Sequence, residues 1–268
     1  MRDQVYVSSM QNQLVGFMLL FVFLIGCSNP THSEKENEQQ SHDLHWDYEG
    51  QAAPEHWAEL SPEFIACAEG HFQSPIDLET YQAIKYQGGI LEFHYHASPI
   101  DVVNNGHTIM ANVEERNHLL VNEVSYELNQ VHFHAPAEHQ IDGIVFPMEM
   151  HMVHVNEEEN YAVVGIFIKE GLENVHLKEL WECMPAHFNE HQHAQESCDL
   201  RALIPQDQAV IHYTGSLTTP PCSEGVEWYV METPIEMSKD QINAFKNLYD
   251  HNNRPIQNRS ARVLEEYK

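Results

Sequence analysis

Basic residues are scarce in this 268-residue chain: 13 Lys and Arg face 41 Asp and Glu, for a formal charge of -28. That balance excludes nucleic acid as a partner, because phosphate backbones are gripped by clustered Lys and Arg. It fits a well-solvated, self-repelling surface. Cysteine is also sparse, five in all with no C-x-x-C pair, which makes a structural disulfide a better reading than a thiolate metal site. No repeat and no interior linker divides the chain. Its hydrophobic fraction of 42% suffices for one sizeable core.

The chain opens on an apolar run, "LVGFMLLFVFLIGC", ending at Cys27. It is too short to span a bilayer core of about 30 Å comfortably and suits a signal-peptide core. Arg2 is offset by Asp3 and no other cation precedes the run. The ending Leu24 to Cys27 resembles a bacterial lipobox, in which Cys27 becomes the lipidated first residue. The expectation is therefore an exported protein, periplasmic or on the cell surface, tethered to the membrane through Cys27. Residues 1–26 form the signal in this reading. Residues 27–44 are polar and lack aromatic and aliphatic side chains except at the end, so they cannot offset their ordering entropy and read as a flexible tether. Residues 45–268 form the folded domain. Once Cys27 is assigned to lipid, Cys67, Cys183, Cys198 and Cys222 remain, with three possible full pairings.

Short alternating runs dominate this domain: "GILEFHYH", "IDVVN", "TIMANV", "VSYELNQVHFHA", "FPMEMHMVHVN", "YAVVGIFIKE", "QAVIHYTGSL" and "VEWYVME". Gly, Pro, Asn and acidic residues punctuate them, the pattern of strands and turns. Helical signals are fewer: "LKELWECM" ahead of Pro185, and "SKDQINAFKNLY", where Ser238 and Gln241 have capping-box spacing. The fold class expected is mainly β, one large sheet with short peripheral helices.

Two of the runs carry the chemistry. On a strand, His132 and His134 point the same way about 6.6 Å apart, with Gln130 beside them and Val131 and Phe133 facing opposite. In "MEMHMVHVN", Glu149, His151 and Val153 share one face, and Met150, Met152 and His154 the other. If these strands are neighbours, three imidazoles converge. Gln130 and Glu149 then stand where the outer partners of metal-bound imidazoles belong. Three neutral nitrogens and an open position mark a catalytic zinc site, whereas structural sites are closed by four protein ligands. "FHYH" at Phe93 to His96 has a similar look without further ligands. The cluster His187, His191 and His193 reads as an exposed polar loop before it reads as a metal trap.

The chain resembles the alpha-class carbonic anhydrases from Trp46 to about Val263. The motifs that carry the resemblance, in the family's order, are "HWDYEG", "PEHW", "CAEGHFQSPIDL", "NNGHT", "QVHFHAPAEHQIDG", "MEMHMVH", "VVGIF", "YTGSLTTPPCSEGVEWYV" and "NNRPIQ". The resemblance implies a twisted, mostly antiparallel central sheet of about ten strands, more than the usual number. It also implies zinc on His132, His134 and His151, and reversible hydration of carbon dioxide to bicarbonate by zinc-hydroxide attack. Thr218 and Glu138 become a gate: an ionised Glu only accepts, so Thr218 donates to it and keeps its oxygen free to accept from the hydroxide. Val153, Val163, Leu217, Val226 and Trp228 become the apolar wall that locates carbon dioxide. His107 becomes the proton shuttle, with Tyr48, Asn105 and Thr219 ordering the intervening waters. Cys67 and Cys222 become a disulfide; Cys183 and Cys198 have no precedent and either pair or stay reduced. Sulfonamides and small anions are the inhibitors implied.

Two positions depart from the family's pattern: Met110 replaces a polar Asn or Gln, and Ala135 replaces a Trp. The first bears on proton transfer, the second on packing. Three rivals stand beside the enzyme: a catalytically silent binding module of the same fold, a zinc-binding or storage lipoprotein suggested by the 20 His, and a hydrolase acting on activated esters.

Overall fold

The computed structural model describes residues 45–113 and 117–268; the signal segment, the tether and Cys27 lie outside the described residues. Among those residues the main sheet has twelve strands. Ten form a continuous path: His191–His193, Ile100–Asn104, Ile109–Val113, Val124–His134, Met148–Val155, Tyr161–Glu170, Glu224–Met237, Val210–Ser216, Glu265–Tyr267 and Ile84–Tyr86. His118–Val121 pairs with the first half of the Val124–His134 strand and with Leu91–His94. Most pairings are antiparallel, as expected. Two joints are parallel: Tyr161–Glu170 with Glu224–Met237, and Glu265–Tyr267 with Ile84–Tyr86. A parallel joint needs a long crossover. The one after Glu170 carries the helix Lys178–Glu182, the edge strand His191–His193 and the strand Val210–Ser216 before the chain returns.

The central strands are covered on both faces, so Met148–Val155 is buried along nearly its whole length. On one face Val131, Phe133, Met150, Met152, Val164 and Ile166 enter the larger core. On the other, Val153, Val163, Val226, Trp228 and Leu217 join Ile76, Phe167 and Tyr213 in a second apolar cluster. A bulge refines the alternation. The register slips between Val153 and His154, with Gln130 opposite Val153 but Leu128 opposite His154. The extra residue lets Gln130 stay on the imidazole face while Leu128 turns into the larger core.

Helices are short. Lys239–Lys246 begins with the expected capping box: Gln241 N donates to Ser238 Oγ (3.2 Å) and Ser238 N donates to Gln241 Oε1 (3.1 Å). Lys178–Glu182 follows a single 3-10 turn. Trp57–Leu60 and Ala66–Glu69 precede the first strand.

Candidate metal centre

Antiparallel pairing sets His132 directly opposite His151 and His134 opposite Glu149. The ligand atoms offered by His132, His134 and His151 all lie within 4.8 Å of one another. Each ring is fixed by its far nitrogen. His132 Nδ1 donates to Gln130 Oε1 (2.8 Å), His134 Nδ1 to the Asn252 carbonyl (2.6 Å), and His151 Nε2 to Glu149 Oε1 (2.9 Å). A carbonyl or carboxylate oxygen can only accept, so the N–H must sit on that side. The lone pairs of His132 Nε2, His134 Nε2 and His151 Nδ1 are left to converge. His134 Nε2 is buried with no hydrogen-bond partner, the mark of a ring that awaits a cation. Burial pushes His132 well below the ordinary imidazole pKa and lowers His134 as well, keeping both neutral and able to ligate.

The partner that sequence reasoning missed for His134 is Asn252. Its side-chain oxygen accepts from Ala135 N (2.8 Å), and its amide donates to the carbonyls of Phe133 and His107 (3.0 Å each). It sits in "NNRPIQ", whose other buried member, Arg254, donates to Gln73 Oε1, Ser74 O and Cys67 O at 2.8 Å each. A backbone carbonyl as partner leaves no trace in side-chain pattern, which is why alternation alone could not find it.

Glu149 is fully buried and accepts from Glu138 N, His139 N, His139 Nδ1 and His151 Nε2, at 2.8 to 2.9 Å. Burial opposes its charge, but His139 and His151 outweigh it and hold the carboxyl well below the ordinary range. His139, adjacent to Glu138 and overlooked in the sequence, ties this carboxylate to the Tyr213 hydroxyl (2.7 Å). His139, Glu149 and His151 also lie within metal-binding range of one another. Their atoms are already joined by hydrogen bonds, so they form the support of His151 rather than a second centre. Glu149→Gln should weaken metal binding about 10- to 100-fold, because an amide turns an NH2 toward donors that need an acceptor. Competition with a chromophoric chelator measures it.

The gate differs from expectation. Glu138 Oε1 accepts from Arg254 N (2.8 Å), but Glu138 Oε2 accepts no hydrogen bond. The donation from Thr218 to Glu138 is therefore not made. Glu138 Oε2 lies instead 3.6 Å from His134 Nε2 and 4.0 Å from His151 Nδ1, where a carboxylate favours any positive charge those nitrogens bind. Thr218 is buried in the 217–223 loop between Val210–Ser216 and Glu224–Met237.

The five wall residues all fall in the second apolar cluster, with Val153 opposite Val163 and Val163 opposite Trp228. The Trp228 ring meets the His151 ring edge-on at 4.9 Å, so this wall abuts the imidazoles. Cys67 and Cys222 form the disulfide, and Cys183 and Cys198 are free. Cys222 N donates to Thr219 O (2.8 Å), so the bridge anchors the loop that carries Thr218 and Thr219.

His107 lies in a turn after Ile100–Asn104, half-buried, its ring stacked on Trp46 at 3.7 Å. Burial lowers its pKa and nearby Asp47 works in the opposite direction. The Asn105 side-chain oxygen accepts from His107 N and Thr108 N (2.9 Å each), so this residue also shapes the turn. Tyr48 packs edge-on against Trp46 and Trp57; burial, then Glu138, raises its phenol well above the ordinary value, keeping it protonated. Met110 stands opposite His132 on the neighbouring strand. Two other histidine groups are elsewhere. His94 stacks on His118 across a strand pair (4.6 Å), and His154 is a satisfied core imidazole bonded to Ala162 O, its pKa driven down to about 4 by burial.

Structural zinc sites close all four positions with protein; here, among the described residues, three imidazoles bring their ligand atoms within 4.8 Å of one another. Fold and centre together present a His-built group with the donor atoms to hold a metal ion. The family model described as eukaryotic-type carbonic anhydrase matches residues 52–267. A carbonic anhydrase of Pectobacterium atrosepticum is 39% identical over 225 residues, covering 84% of this chain and 91% of that protein. One from Klebsiella pneumoniae is 40% identical over 83% and 91% of the two chains. The solved alpha-carbonic anhydrase of Thermovibrio ammonificans, in complex with sulfanilamide, superposes with a TM-score of 0.81 at 41% identity, over 84% of this chain and 99% of that one. The chain belongs to the alpha-carbonic-anhydrase family and is an enzyme by that membership.

Proposed function

We propose that the chain catalyses the reversible hydration of carbon dioxide to bicarbonate and a proton, with Zn2+ held by His132 Nε2, His134 Nε2 and His151 Nδ1. The observation that carries this reading is the anchoring of each far ring nitrogen to a fixed acceptor, which aims three lone pairs at one point. When bound there, Zn2+ supplies a water acidic enough to act as a nucleophile near neutral pH, carbonic anhydrase being itself the standard case of that effect. Neutral ligands leave the ion's full charge available for this. Carbon dioxide is apolar, and Val153, Val163, Leu217, Val226 and Trp228 give it a surface beside the imidazoles. Thr218 is assigned to orient the nucleophile by turning its hydroxyl to Glu138 Oε2, an acceptor that no donor occupies. His107 passes the proton to buffer along waters ordered by Tyr48, Asn105 and Thr219, and Met110 slows this transfer by offering no hydrogen bond to those waters.

The inhibitors proposed are aromatic sulfonamides and small anions, competing for the position left by the three nitrogens; the sulfanilamide complex of the Thermovibrio enzyme supports this. The proposed location is outside the cytoplasmic membrane, with residues 1–26 removed, residues 27–44 as tether, and Cys27 lipidated. Stopped-flow carbon dioxide hydration on residues 45–268, with zinc content determined, tests the catalytic reading. Rapid hydration at one zinc per chain supports it. Tight zinc without hydration favours the silent binding module, and the absence of a tight zinc overturns the assignment.

A further inference from the structure

Outside the metal centre, a second set of imidazoles meets a carboxylate, and the expected loop around His187, His191 and His193 is a strand. His191–His193 pairs antiparallel with Ile100–Asn104 at the edge of the main sheet, placing His193 opposite Asp101 and His191 opposite Val103. His187 lies before the strand and is not part of the pairing. The backbone plan repeats that of the catalytic centre: two imidazoles at i and i+2 on one strand, and a third donor on the antiparallel neighbour opposite one of them. His191 Nδ1 is 2.9 Å from Asp101 Oδ2, and His193 Nδ1 is 3.5 Å from Asp101 Oδ1. Asp101 is the buried end of the group, its side chain 16% exposed against 53% and 75% for the two imidazoles. Asn112 Nδ2 steadies Asp101 Oδ2 from the next strand (3.4 Å). Asp101 Oδ1 is buried and accepts no hydrogen bond.

We propose that His191, His193 and Asp101 form a second, peripheral binding site for a borderline divalent cation such as Zn2+ or Ni2+. Two imidazoles and one carboxylate are the donor set those ions prefer over the hard ions Ca2+ and Mg2+. In the ion-free pair the Nδ1–H of His191 donates to Asp101 Oδ2; moving that proton to Nε2 turns the Nδ1 lone pair toward the carboxylate, an arrangement that a cation between them stabilises. The chain's formal charge of -28 adds a general attraction for divalent ions. Rotation of the two exposed rings about their own side-chain bonds closes the set around an ion, with water filling the other positions. The frame is already held, since Asn189 N donates to Asn104 O (2.8 Å) and Ala194 N to Ile100 O (3.2 Å), on either side of the pair. This site is independent of the catalytic reading: it shares no residue with the tri-imidazole centre.

Calorimetric titration of Ni2+ into the protein carrying its tightly bound metal, after dialysis to strip weaker ions, tests the site. The wild type should take up one more ion here than a His191→Gln/His193→Gln double variant, or bind it at least tenfold more tightly. Asp101→Asn, which keeps the shape of the side chain, should weaken the same event, with carbon dioxide hydration and melting temperature of the His double variant unchanged. Superimposable titrations of wild type and double variant, or no uptake by the wild type into the millimolar range, would overturn the proposal. Should Asp101→Asn fail to fold, the exposed histidine pair carries the test alone.

Discussion

His134→Ala should release the tightly bound metal and lower carbon dioxide hydration by at least ~10³-fold, more than the ~10–100-fold effect of losing an outer partner. His134 is 1% exposed, and its inward Nε2 is buried without a hydrogen-bond partner among the described residues. Its removal leaves two imidazoles and the unmatched carboxylate oxygen of Glu138 facing the same space. The change also strips the Asn252 carbonyl of its donor, a structural cost of about 1–3 kcal/mol, so stability must be measured beside activity. The informative control is His154→Ala. His154 is equally buried, on the same pair of strands, but faces the other side and is satisfied by Ala162 O and the Tyr95 hydroxyl. It should destabilise the fold while keeping the metal. If zinc content and hydration fall together only in the His134 variant, the tri-imidazole centre is the seat of the activity. Equal losses in both variants would mean that general unfolding explains them, and full retention in His134→Ala would remove that ring from the centre.

That contrast also shows what alternation can and cannot convey. His132, His134 and His151 were legible because period-2 spacing fixes the face of a strand, and Gln130 and Glu149 followed from the same rule. The placement of His154 on the opposite face followed too. The gate was not legible in its detail: Glu138 Oε2 lies beside His134 Nε2 and accepts no hydrogen bond, an orientation that strand alternation does not encode. Asn252, Arg254 and Tyr213 escaped because they act across more than 70 residues of sequence, and His139 because it acts through Glu149, itself an outer partner. The fold shows the same division. Long alternating runs became strands nearly as bounded by their punctuation, whereas the polar edge strand His191–His193 and the four-residue strand His118–Val121 are too short to stand out without their neighbours. The parallel joints, set by where a crossover returns, had no local signal at all.

Cys67→Ala/Cys222→Ala should cost about 5 kcal/mol of stability by chain entropy, because the bridge closes 155 residues of sequence. For a domain of this size that corresponds to a fall of about 10–20 °C in melting temperature. The bridge lies with Trp57 and Phe64 in a small apolar cluster separate from both sheet cores. Two polar contacts depend on its position: Gln73 Nε2 donates to Cys222 O (3.1 Å), and Arg254 Nη2 to Cys67 O (2.8 Å). Arg254 in turn presents its backbone N–H to Glu138. Loss of the bridge therefore loosens both halves of the proposed gate, the loop bearing Thr218 and the carboxylate of Glu138. Calorimetry of the double variant, with hydration measured well below its melting point, separates the two effects. A large drop in melting temperature with a smaller loss of turnover would assign the bridge to stability, and a comparable loss of both would extend its role to the gate. An unchanged melting temperature would contradict the entropic argument. Such a bridge forms in oxidising compartments, so the same two substitutions also bear on the proposed export: a protein that matures outside the cytoplasm gains this stabilisation on arrival, and the double variant should accumulate poorly there while remaining detectable inside.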